Sequence, residues 1–422
     1  MAVELMSAAD EEFFDMDRDP RMVSNVGVVY VLEEEVPEDR MLAALLDYVA
    51  IVPRARQRVV KVEGRWAWAD VETFEHEQHL EYRQVGPDAS LNQIATELSQ
   101  LYSRPWDMTR PLVRATVLRG LAGARSAVFL EVSHALGDGL GLLHSMRGTR
   151  HQPTSSARGA TVAAGARDAA RLLRHAVCDG GLRHSATAQL RSFAGHAGEL
   201  AERRRWRTGE QSCSREIALM SVELEAWREA AERRNGRIND LFLAAAAAAL
   251  RDTLGYRRRD PSTIDVVMPI SIRPSDEAGV GNQVWRGLVR LPDGDPLRDL
   301  RVVARASTRA SALEHLPVGP VPEQLLRVLP TRLRRGFMRR SLAAADGVAT
   351  NLTFPFEPME FAGTRVLEHY VVAPVTGPPV LFALCTYADV AHFSLTIDPG
   401  LLPEPDRMRE RFAEIVELVA ER

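Results

Sequence analysis

At 422 residues, 45% of them apolar, the chain exceeds one ordinary core and suits two domains or one large two-lobed unit. The formal net charge of -4 is spread along the chain, which gives no reason to expect nucleic acid as a partner. Lys61 interrupts an otherwise all-arginine set of cations, which disfavours Schiff-base chemistry.

Cys178, Cys213 and Cys385 are far apart and form no Cys-x-x-Cys pair, so neither a disulfide framework nor a cysteine zinc site is indicated and a reducing cytoplasm is expected. The opening "MAVELMSAADEEFFDMDRDP" carries acids where a signal peptide would carry a basic flank. The longest apolar run, "LFLAAAAAAL" at 241–250, is half the ~20 residues that cross a bilayer. The expectation is therefore a cytoplasmic protein with no transmembrane segment, peripheral membrane contact being the most it could make.

"NVGVVYVL" (25–32) is β-branched and apolar and reads as a strand, and the following segment has helical spacing up to Pro53. A helical "SLNQIATELSQLYSRPW" precedes two strand-like runs, "PLVRATVLRG" and "SAVFLEVS", which the turn-forming "GLAGAR" separates. From Arg147 to Arg207 the composition turns to Ala, Arg, Ser, Gly and His, a candidate crossover between halves. We therefore divide the chain into an N-terminal lobe (1–146), a crossover (147–210) and a C-terminal lobe (211–422).

The second lobe opens with "REIALMSVELEAWREAAERR" and continues with the helix "INDLFLAAAAAALRDTL", which Asn239 or Asp240 could cap. The strand "TIDVVMPISIR", three late strands, "VLEHYVVAPV", "PVLFALCTYAD" and "AHFSLTID", and a closing amphipathic helix complete it. The irregular alternation favours α+β or mixed-sheet α/β lobes over a doubly wound sheet or a barrel.

His-x-x-x-Asp-Gly occurs twice, at His134/Asp138 and at His175/Asp179. A histidine serves as a general base near neutral pH only when it is held and aimed. His134 ends the strand-like "SAVFLEVS", where Gly137, Gly139 and Gly141 allow a tight turn and close ligand approach. His175 instead closes an arginine-rich helical stretch before Gly180 and Gly181, a pattern that chance explains. Other chemistries lack their motifs: there is no Gly-x-Ser-x-Gly elbow and no phosphate loop before Lys61. "HEQH" (76–79) has Leu80 where a second zinc ligand would stand and reads as a solvated polar segment, so no metal site is expected.

"SHALGDG" resembles the His-His-x-x-x-Asp-Gly centre of the coenzyme A dependent acyltransferase superfamily of chloramphenicol acetyltransferase and peptide-synthetase condensation domains. Within it the chain most resembles the wax ester synthase/diacylglycerol acyltransferase family. The resemblance runs through "LMSAADEEFFDMD", "RPWDMTRPLVRATVL", "GRINDLFLAAAAAALR", "VVMPISIRPSDEAGVGNQVW" and "FAGTRVLEHYVVAPV" to "HFSLTID". Three positions depart from the pattern: Ser133 replaces the first histidine, Val113 ends the Pro-Leu-Trp landmark, and "NLTFP" from Asn351 replaces Asn-Val-Pro-Gly.

The resemblance implies two chloramphenicol acetyltransferase-like lobes of mixed sheet meeting at a central tunnel. It implies an acyl-CoA co-substrate and no other cofactor, an alcohol or amine acceptor, and His134 as the catalytic base. The acyl donor could instead ride on an acyl carrier protein, and a non-catalytic binding protein of the same fold is a further alternative. Asp138 reads either as a second catalytic group or as a structural acid; the structural role is preferred, since related enzymes pair this acid with an arginine, for which Arg273 is the candidate. An oxyanion needs donors, and Asn282, Asn351 and the backbone at Gly139 are candidates beside Ser133 in substrate binding, although both asparagines also suit turns. The basic stretch at 147–207 could attract coenzyme A phosphates but reads better as a solvated helix face.

Overall fold

The computed structural model describes residues 3–137, 209–254, 263–271, 284–292, 294–312, 345–353 and 358–421. The first half contains β1 (Val3–Leu5), α1 (Ala8–Asp17), β2 (Asn25–Leu32), α2 (Glu38–Ile51), β3 (Gln57–Val62), β4 (Arg65–Asp70), β5 (Leu80–Ala89), α3 (Leu91–Tyr102), β6 (Val113–Leu121) and β7 (Arg125–Ser133). The second contains β8 (Glu216–Glu223), α4 (Leu224–Arg233), α5 (Ile238–Leu254), β9 (Thr263–Ser271), β10 (Val284–Pro292) and α6 (Arg301–Ala312). There follow β11 (Gly347–Thr353), β12 (Glu360–Phe361), β13 (Thr364–Val372), β14 (Val380–Tyr387), β15 (Val390–Ile397) and α7 (Pro405–Glu421).

Two six-stranded sheets organise the molecule, in the orders β12-β13-β2-β7-β6-β5 and β10-β9-β11-β14-β15-β8, beside a small β1-β4-β3 sheet. Both are mixed, as the alternation implies: β5 runs parallel to β6 in the first, and β11 parallel to β9 and β14 in the second, while the other pairs are antiparallel. Strands β12 and β13 come from the second half yet complete the first sheet, so one covalent crossover ties the lobes together.

β7 lies between β2 and β6, which explains why its sequence is a near-continuous apolar run: every residue from Ser126 to Ser133 is buried. Packing is tight here, because a Cβ on Gly27 would fall 2.4 Å from the Phe129 ring. In the second lobe the alanine-rich α5 is buried from Asp240 to Leu250, so the longest apolar run of the chain is a core helix. Asn239 and Asp240 lie inside its first turn and are not its N-cap. Asp240 nevertheless satisfies the helix start by reaching back, its Oδ2 accepting from the Arg237 N–H at 3.0 Å.

The lobes meet where α3 lies against β8. Ser99 Oγ accepts from the Ile217 N–H at 2.9 Å, and Ser103 Oγ from the Arg215 N–H at 2.8 Å. Arg215 is fully buried beside Asp398, 3.4 Å away, and donates to the carbonyls of Ser212 and Arg21, both at 2.7 Å. A buried guanidinium without these acceptors would cost several kcal/mol, so one side chain fastens the second lobe to the loop after α1.

Candidate active site

β7 delivers His134 to its C-terminal end, where a short 3-10 turn covers His134–Leu136. Register fixes the height of this end: Asn25 of β2 lies opposite Ser133, and the Ser133 N–H donates to the Leu112 carbonyl at 3.1 Å. The His134 N–H donates to Ser24 at 3.2 Å, and the Gly137 N–H closes the turn on the His134 carbonyl at 3.3 Å. Beneath the turn Leu112, Val113, Val132, Ala135 and Leu136 pack in one core with Phe14 and Trp68. The backbone of the turn is thus anchored while the His134 side chain remains half-buried.

Helix α1 supplies what surrounds that side chain. Ser7 caps the helix by accepting from the Asp10 N–H at 3.1 Å, and Phe13 lays its ring flat on the imidazole, centroids 4.0 Å apart and planes 8° from parallel. Asp17, at the helix end, turns inward. Its Oδ1 accepts from Ser24 Oγ at 2.5 Å and from the Ser24 N–H at 3.2 Å, and its Oδ2 accepts from Ser133 Oγ. Ser133 Oγ in turn accepts from the Ala135 N–H at 3.1 Å. Burial pushes the Asp17 carboxyl up to about 6, against the pull of its serine donors and Arg114.

A second polar cluster stiffens the same strand ends. Glu131, 1% exposed, takes Arg114 Nε at 3.1 Å together with Arg114 Nη2, and accepts from Asn25 Nδ2 at 3.1 Å. Trp106 Nε1 donates to Asn25 Oδ1 at 2.5 Å, and the Arg114 guanidinium lies 4.0 Å from the centre of the Trp106 ring. Tyr102 donates to the Asn25 carbonyl at 2.6 Å. The segment "RPWDMTRPLVRATVL" thus acts as a brace on the strand carrying His134.

Of the residues singled out by sequence, Ser133 and His134 share the site, and the Ser133 hydroxyl is turned to Asp17. Asn351 lies in the second lobe, donating from Nδ2 to Asn239 Oδ1 at 3.3 Å. It lines a cavity of about 370 Å³ together with Arg228, Glu232, Arg237, Asn239 and Thr386. Asp138, Gly139, Arg273 and Asn282 lie outside the described residues, as does the second motif with His175. The "HEQH" segment is corrected at its last residue. His79 is buried, stacks on Phe74 at 4.5 Å, and its Nδ1 lies 2.8 Å from the Val113 carbonyl, so it is a packed core histidine. Among the described residues no group of three His, Cys, Asp or Glu is placed to hold a metal ion.

Phe13, Asp17 and Ser24 were not legible as site residues. Nothing local distinguishes Asp17 from the other acids of α1, Asp10, Glu11, Glu12 and Asp15. The available signal was indirect: a serine where the motif resemblance asks for histidine needs an acceptor for its hydroxyl, and the acid-rich opening is one place to find it.

A family model described as the wax ester synthase/diacylglycerol acyltransferase catalytic domain matches residues 6–242, and the corresponding C-terminal domain matches 280–419. A Mycobacterium tuberculosis protein named "Probable diacyglycerol O-acyltransferase tgs1" is 24% identical over 95% of this chain and 92% of its own length. Among solved structures, the wax ester synthase/diacylglycerol acyltransferase from Marinobacter aquaeolei superposes with a TM-score of 0.65 at 18% identity, covering 99% of this chain and all of that one, 100%. The first condensation domain of the calcium-dependent antibiotic synthetase gives 0.64 at 16% identity over 100% of this chain and 97% of that chain. These likenesses show the fold: two mixed-sheet lobes of the chloramphenicol acetyltransferase type.

Proposed function

We propose that this chain, which belongs to the wax ester synthase/diacylglycerol acyltransferase family, moves an acyl group from a coenzyme A thioester to an acceptor hydroxyl with His134 as the general base. The observation that carries this reading is the half-buried imidazole at the end of β7, covered by Phe13 on one face and carried on a backbone whose Ser133, His134, Ala135 and Gly137 N–H groups are all hydrogen-bonded. Such an imidazole is pre-aimed, which is what a general base needs to take a proton from an acceptor hydroxyl.

In the step we propose, the acceptor oxygen gives its proton to His134 as it attacks the thioester carbonyl. The tetrahedral intermediate collapses with cleavage of the C–S bond, and the imidazolium returns the proton to the departing thiolate. No acyl-enzyme forms. Donor and acceptor would approach along a channel between the lobes. Asp138 paired with Arg273 would order the loop carrying His134, and Gly139 and Asn282 would offer donors to the oxyanion, whereas the Asn351 amide, which donates to Asn239 in the second lobe, would need to turn to do so. The acceptor is a lipid alcohol, an acylglycerol or a hydroxylated secondary metabolite. A cytoplasmic site of action with peripheral membrane contact fits a greasy acceptor, and no described helix is long and apolar enough to cross a membrane.

A second reading, a carrier-protein donor, draws on the fold shared with condensation domains. Purified protein is incubated with acyl-CoA and a panel of alcohols while free thiol is followed. Thiol release that depends on alcohol and is lost in His134→Ala supports the proposal. Release only from carrier-bound acyl groups transfers it to the second reading, and turnover that survives His134→Ala removes the general-base assignment.

A further inference from the structure

The hydrogen bonds around His134 form a closed circuit through one carboxylate. The His134 N–H reaches the Ser24 carbonyl, and Ser24 binds Asp17 Oδ1 with both its N–H and its hydroxyl. On the other side Asp17 Oδ2 holds the Ser133 hydroxyl, whose oxygen receives the N–H of Ala135, the residue after His134. The peptides before and after the imidazole are therefore tied to the same group. The helix that ends in Asp17 also brings Phe13 onto the ring, and the Ser24 hydroxyl lies 3.4 Å from the Phe13 carbonyl.

We propose that Asp17 is the positioning residue for His134, setting the height and tilt of the imidazole through Ser133 and Ser24 at a position where the motif carries serine instead of a first histidine. The inference rests on His134 being the base. Geometry separates this role from ordinary core satisfaction, because a carboxylate buried only to be satisfied could take any three donors, whereas these three belong to Ser24 and Ser133, the two residues that accept the N–H groups of His134 and Ala135. The hydroxyl of Ser133 has one proton, and giving it to Asp17 leaves its lone pairs to fix Ala135. Charged and titratable groups facing Asp17 are Arg114 of β6 and Tyr102 of α3, with Glu131 of β7 behind them. Loss of charge on Asp17 reverses its bond to Ser133 and slackens the circuit.

The test reads the ring itself as well as turnover. The full chain is prepared with labelled histidine rings, and the His134 resonance is assigned by its loss in His134→Ala. In Asp17→Asn and in Ser133→Ala this resonance is expected to move or broaden and its titration midpoint to shift, while resonances of the buried His369 and His392 stay in place. With palmitoyl-CoA and 1-hexadecanol as probe substrates, kcat falls roughly tenfold or more with KM little changed, since small misplacements of a reacting group carry penalties of this order. Asp17→Glu recovers part of kcat. A His134 resonance that superposes on wild type in both folded variants overturns the proposal, whatever the turnover. Turnover that survives His134→Ala defeats the functional reading instead, so the two failures are distinguishable. Should Asp17→Asn not fold, the smaller Ser133→Ala lesion decides by the same resonance.

Discussion

Phe13 and His134 stack with planes 8° from parallel, although 120 positions separate them in the chain and the phenyl ring comes from a helix, the imidazole from the end of a central strand. The stack covers one face of the imidazole. Removing the phenyl ring in Phe13→Ala forfeits about 1 kcal/mol of aromatic contact and frees the rotamer, so kcat should drop by roughly tenfold while Phe13→Tyr keeps most of it. Steady-state kinetics on the two variants provide the check, and equal kcat in Phe13→Ala would show that the stack does not aim the base.

His134→Ala should lower kcat by about 10² to 10⁴, the usual worth of a general base. The second motif supplies the control: His175→Ala leaves turnover unchanged. A fall in His175→Ala comparable to that in His134→Ala would mean that the wrong motif has been placed at the reaction centre.

Arg114 and Glu131 predict a large stability effect. Burial raises the Glu131 carboxyl above its usual range and Arg114 opposes the shift, so Arg114→Met strands an acid that is 1% exposed. Breaking such a pair costs about 3–5 kcal/mol. Urea unfolding at pH 7 should show a midpoint lowered accordingly, and a change under 1 kcal/mol would show that the Asn25 and Trp106 contacts carry the brace without the arginine.

Two histidines make the lobe junction sensitive to acid. His369 on β13 meets Tyr30 edge-on at 4.8 Å, and His392 on β15 meets Tyr370 at 4.9 Å. Burial lowers them from 6.5 to about 3 and about 4. The unfolded chain protonates near 6.5 while the native one resists, so their stabilisation is complete above pH 6.5 and is lost as pH falls from there towards 3 to 4, at up to about 1.4 kcal/mol per pH unit for each. Asp17 opposes the trend, because its native carboxyl, at about 6, binds a proton before the unfolded one at 3.8 does, and gains stability as pH falls between those values. Denaturant midpoints measured from pH 7 to pH 4 should fall steeply for wild type and less steeply for His392→Gln. Parallel curves would show that His392 is not a source of the acid loss.

Local pattern was enough to establish the mixed α/β class, the strands at 25–32 and 126–133, and the histidine worth testing. Strand alternation, a long apolar run and a glycine-rich turn after an imidazole are local signals, written within a few residues of the places they describe. Packing, by contrast, set the contact of Ser133 with Asp17, the cover of Phe13 over the ring, the core histidine that ends "HEQH", and the crossing of β13 to the first sheet. Each depends on contacts between residues far apart in the chain, and a carboxylate destined for burial beside two serines carries the same letter as one on the surface. Burial and partnership are properties of the packed molecule, so the support around the base emerged only when α1 was laid against the end of β7.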